Sequence, residues 1–86
     1  GDAKGAEAWF RKTIAAQKNL YDSGHPDILK AEENLAEVLL LLGKSEEAKE
    51  IVAGLLAQTP SSDPKLVQRE QLMDMIRKVE SEKQSP

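Results

Sequence analysis

His25, Pro26 and Asp27 put the chain's single imidazole beside a carboxylate, the one short stretch with the residue types of a catalytic or metal site. A lone histidine in a chain without cysteine is poor material for a metal centre, which draws on several nitrogen or sulfur donors. A proline at this place marks a loop giving way to a helix, because its missing N–H is not needed in the first helical turn. The adjacent carboxylates Glu32-Glu33 and Glu46-Glu47 are the other candidates. General acid–base work needs such groups buried beside partners that separate their pKa values, whereas on an amphipathic helix they form solvated faces and first-turn charges. No G-x-x-x-x-G-K-[ST], G-x-S-x-G or H-E-x-x-H occurs. The expectation is a protein that is not an enzyme, with no catalytic, metal-binding or cofactor-binding residues.

The chain of 86 residues has room for one domain, near the size where a single core is only just sufficient. Hydrophobic residues make up 40% and aromatics 3%, so the core is aliphatic and alanine-rich, which favours helix over sheet. The net charge is −3 and no lysine or arginine cluster is present to neutralise a row of phosphates, so nucleic acid is not an expected partner. The longest aliphatic run, 38–42, falls far short of the ~20 residues that cross a bilayer. No membrane partner is expected, and a cytoplasmic location is the corresponding expectation.

Periodicity predicts about four helices and no strand. The first spans 2–21, with Ala6, Phe10, Ile14, Gln17 and Tyr21 on one face, and Trp9, Thr13 and Leu20 widening it. Residues 22–26 break it. A helical pair over 27–58 follows: Ile28, Ala31, Leu35, Val38, Leu39 and Leu42 form the inner face of its first member, and Gly43 stops that helix. Ser45 is the expected N-cap of the second member, whose inner face is Ala48, Ile51, Val52, Leu55 and Leu56. Asp63-Pro64 then opens a last helix over 64–82, with Leu72, Met75, Ile76 and Val79 inward and a frayed tail at 83–86.

The chain also repeats itself. At one constant offset Gly1 falls on Gly43, Ala6 on Ala48, Phe10 on Val52 and Ile14 on Leu56; at another, Leu35 falls on Leu72, Val38 on Met75, Leu39 on Ile76 and Leu42 on Val79. Residues 29–62 resemble the tetratricopeptide repeat family: Leu35-Ala36 stands at its L-G step, Leu39 at its tyrosine, Ala48 and Val52 at its A-x3-F step and Pro60 at its closing proline. Glu32 stands where that family usually has tryptophan. The segments Asn34-Leu35-Ala36 and Gly43-Lys44-Ser45-Glu46-Glu47-Ala48, with the longer first connection, are similar to its kinesin-light-chain-like, longer-period subclass. The resemblance implies antiparallel helical hairpins in a right-handed superhelix: one second helix, one complete pair and a capping helix, expected as the end of a longer array because single repeats lean on their neighbours.

The same resemblance implies a scaffold that binds a peptide or helix of a partner protein in a concave groove. Its lining positions are Lys30, Glu33, Asn34, Glu37, Leu40 and Leu41, facing Glu70, Gln71 and Asp74 of the last helix. Their charges make the expected groove acidic and the expected partner basic or amphipathic. Reversing Glu33 and Glu37 to lysine is expected to leave helix content unchanged. The alternative is an assembly module, a homo-oligomer built on the unpaired face of the first helix at Trp9, Phe10 and Thr13.

Overall fold

The computed structural model describes residues 2–22 and 24–84, and the side chains of those up to residue 82. Four helices follow one another: α1, Ala3–Leu20; α2, Pro26–Leu41; α3, Ser45–Ala57; and α4, Lys65–Gln84. No strand occurs among the described residues. Lys83 and Gln84, expected in the tail, close α4, while 85–86, Gly1 and Ser23 lie outside the described residues.

Each helix boundary has an identifiable cause. The Asp2 carboxylate accepts the Gly5 N–H at 3.0 Å and starts α1. His25 caps α2, its Nδ1 accepting the Asp27 N–H at 3.1 Å while the ring stacks on Tyr21 with centroids 4.0 Å apart. The imidazole thus serves the turn that leads into Pro26. Gly43, at φ 80°, ends α2: its N–H donates to the Leu40 carbonyl and that of Lys44 to the Leu39 carbonyl, closing the last turn. This turn consumes Lys44 as well, so α3 begins on Ser45. The serine expected to cap α3 is instead its first helical residue and is buried, and no side chain caps the helix. Asp63 opens α4 by accepting the Lys65 N–H at 2.9 Å, with Pro64 between them.

Packing is sequential. α2 lies between α1 and α3, α4 lies on α3, and α4 and α2 approach each other only slightly. The molecule is correspondingly long and flat, 46 × 33 × 18 Å. The core runs from Ile14 through Ala31, Leu35, Ala36 and Leu39 to Ala48 and Val52, and then to Leu72, Met73 and Ile76. Ala36 and Ala48 have no exposed surface, and their small side chains let the helices of the central pair lie close. Leu29 and Ala36 join the expected inner face of α2, because that helix is covered from more than one side. On α4 the inward face is rotated from the expected one: Arg69, Leu72, Met73 and Ile76 point in, and Met75 is 55% exposed. Leu20 and Tyr21 are exposed as well.

The rotation of α4 is explained by a buried charge. Arg69, 2% exposed, directs Nε to Glu33 Oε2 at 3.3 Å and donates from Nη1 to Thr59 Oγ1 at 2.6 Å. Thr59 in turn donates to the Leu55 carbonyl at 2.6 Å, which also accepts the Gln58 N–H at the end of α3. A third partner, Lys30 Nζ, stands 3.9 Å from Glu33 Oε1. Taking either partner away leaves a charge enclosed without its counterpart. Arg69→Met is therefore expected to lower stability by about 3 kcal/mol or more in urea titration, and Glu33→Met combined with Arg69→Met to recover most of that loss.

A second, more exposed set of charges ties α1 to the α2–α3 turn. Glu7 is bonded by Lys44 Nζ at 3.0 Å and by Arg11 Nε at 2.9 Å, and Arg11 also reaches Glu47. Hydrogen bonds from Lys44 and then from Arg11 hold the Glu7 carboxyl below its ordinary value. Its charged form is thus favoured by folding: the contribution is complete above the ordinary carboxylate pKa and is lost as pH falls through the lowered one. Urea midpoints of the parent chain are expected to drop as pH falls below the ordinary carboxylate range, and to drop less in Glu7→Gln, where this linkage is absent.

Candidate functional site

The outward stripe of α2 carries Lys30, Glu37 and Leu41, which lie one to two turns apart on the same side of the helix. Glu33 and Leu40 flank this stripe toward α4, and Asp27 and Asn34 flank it toward α1. Because α2 has a neighbour on each side, two separate depressions result, and Lys30 borders both.

The larger is a trough of about 540 Å³ between α2 and α4. Of the expected positions, Lys30, Glu33, Glu37, Leu40, Leu41 and Gln71 line it. Gln68, Leu72 and Met75 complete the wall on α4. Sequence periodicity assigned Leu72 and Met75 to the core alone, and the one-position turn of α4 around Arg69 is what brings Met75 to the trough. Leu41 is 81% exposed, and with Leu40 and the exposed Met75 it lines one apolar surface. Glu70 and Asp74 are exposed on α4 but do not line the trough, and Asp74 stands 4.0 Å from Arg77.

The charge of the trough differs from the sum of its residues. Glu33 is enclosed and neutralised by Arg69, so it offers no free carboxylate to a ligand. Its replacement by lysine would set two cations together in the interior, and helix content would not survive that change as the sequence suggests. Glu37 is exposed and makes no ion pair among the described residues, which leaves it as the free anion on the trough wall. The trough is chiefly apolar, with one free carboxylate at Glu37 and the Lys30 ammonium at its edge.

The smaller depression, about 240 Å³, lies between α1 and α2 and gathers Trp9, Phe10, Thr13 and Gln17 with Asp27, Lys30, Ala31 and Asn34. Asn34 therefore faces α1 and is not part of the larger trough. Trp9 is 61% exposed, while Phe10 packs against the core and meets the indole edge to face at 5.2 Å. Thr13 turns its hydroxyl back to the Trp9 carbonyl at 2.8 Å. Gln17 Oε1 is enclosed and accepts no hydrogen bond. Nothing in the spacing of Gln17 and Asp27 marks them as neighbours; only the α1–α2 packing joins them.

Among the described residues no cluster of three or more His, Cys, Asp or Glu side chains is placed to hold a metal ion. No described helix is long and apolar enough to cross a membrane. No protein-family model, curated protein or solved structure matches the chain.

Proposed function

We propose that this chain is a protein-interaction module of the tetratricopeptide-like kind, in which the α2–α4 trough receives an amphipathic segment of a partner protein. The observation that carries the reading is the exposed apolar strip formed by Leu40, Leu41, Leu72 and Met75, set between two helices that hardly touch. Contiguous apolar surface of this sort marks a place where another chain is received. Its width and one-sided shape suit a helix lying with apolar residues at successive turns. Glu37 adds a preference for a lysine or arginine on that segment, opposite the trough wall.

Sequential packing supports the repeat reading, since each helix is stabilised by its chain neighbours in the manner of stacked repeats. The small residues Ala36 and Ala48 occur at the closest approach of the central pair, where the resembled family also places small residues. The enclosed Arg69 holds α4 at a fixed rotation, so the trough exists before a partner arrives and little ordering is needed on binding.

A synthetic amphipathic helix with leucines at successive turns and one central lysine serves as the probe. Titrated into the isotopically labelled protein, it is expected to move amide signals of α2 and α4 and to leave those of the α1 surface in place. Leu41→Gln together with Met75→Gln is expected to weaken it about tenfold or more, because both lost side chains are exposed contacts and not part of the core. Unchanged affinity in that double variant would remove the trough from the account.

A further inference from the structure

The depression between α1 and α2 has a different chemistry from the trough, and the proposed function makes no use of it. One wall is the exposed face of Trp9. Across it stands Asp27, exposed and without an ion pair among the described residues. Asn34 adds a side-chain amide to the same space, while the Gln17 amide oxygen is enclosed and not open to a ligand. Lys30, the cation of the rim, has its ammonium 3.9 Å from Glu33 Oε1, on the flank of α2 that faces α4. The cleft thus presents an aromatic ring, a carboxylate and a side-chain amide together.

We propose that this cleft binds the guanidinium group of an arginine carried by a partner polypeptide. The planar cation lies on the Trp9 ring, where the negative face of the indole attracts it, and its N–H groups are directed to the Asp27 carboxylate and the Asn34 amide. Arginine fits better than lysine because its donors spread in one plane and stack on a flat ring while bonding at several edges. An anionic ligand would meet the like charge of Asp27, and a purely apolar one would leave that carboxylate without a counterion. A second copy of the chain is the competing occupant of the Trp9 face.

Trp9 is the chain's single tryptophan, so its fluorescence reports on this cleft. The probes are three capped tripeptides, Gly-Arg-Gly, Gly-Lys-Gly and Gly-citrulline-Gly, in about 0.15 M salt to suppress long-range attraction. The arginine peptide is expected to change Trp9 emission and to shift amide signals over 9–17 and 27–34, with saturation in the millimolar range, on the order of 1–10 mM. The citrulline peptide, isosteric but uncharged, is expected to bind about tenfold more weakly, and the lysine peptide to fall between them. Asp27→Asn should bring the arginine peptide down to the citrulline level. Trp9→Leu, at an exposed site that does not threaten the fold, should abolish the amide shifts over 27–34. Glu37→Gln should change none of these readings, which separates this cleft from the trough.

Equal response to arginine and citrulline, or persistence of binding in both Asp27→Asn and Trp9→Leu, would overturn the assignment. So would Trp9 emission that changes with protein concentration alone, together with a doubled mass by light scattering, since a second copy would then cover the ring. Failure of the leucine-rich helix to bind the trough would leave this result standing, and the converse also holds.

Discussion

An arginine with almost no exposed surface must find acceptors within the protein, and in this molecule that requirement links α4 to α2, which otherwise meet only sparingly, and to the end of α3. Arg69 takes Glu33 from α2 and Thr59 from the end of α3, while its own helix supplies the backbone from which it reaches them. The hydrogen-bonded set fixes the rotation of α4 about its axis. Once Arg69 points inward, Leu72, Met73 and Ile76 follow it at helical steps, and Met75 is turned out beside Leu41. The apolar trough is thus a geometric result of satisfying one enclosed guanidinium. A hydrophobic residue at this position would fill the same space and leave the rotation of α4 less strictly determined.

Much of the secondary structure was legible because the chain marks its turns with residues of particular conformational character. Pro26 begins α2, Gly43 adopts the positive φ that ends it, and Asp63-Pro64 opens α4. Most of the inner faces of α2 and α3 were readable for a related reason: their leucines and alanines recur at helical spacing. Where sequence reading departed from the structure, a polar residue was doing interior work. Glu33 and Arg69 look like surface charges until they are brought together from distant parts of the chain. Ser45 has the composition of a cap, but the Ala48 N–H donates to the Lys44 carbonyl, so the helix begins one residue earlier and Ser45 lies inside its first turn.

The candidate surfaces were legible only by halves. The stripe of α2 that includes Lys30, Glu37 and Leu41 follows from helical spacing alone. Its division into two depressions does not, since that depends on where α1 and α4 settle against it. Asn34 went to the α1 side and Met75 came to the α4 side for reasons of helix rotation that no local pattern encodes. Trp9 illustrates the same limit. Adjacent aromatic residues on a helix cannot share one direction, and only the tertiary packing shows that Phe10 took the interior and Trp9 the outside.

The order in which helices touch has a kinetic side. Every substantial interface joins elements adjacent along the chain, so the loops that must close during folding are short and their entropy is modest. Such a topology favours rapid acquisition of structure, with the central hairpin able to form before either flanking helix arrives. It also makes the ends the first parts to loosen: α1 is anchored on one side alone, and its detachment would leave the α2–α3 pair and its enclosed alanines intact.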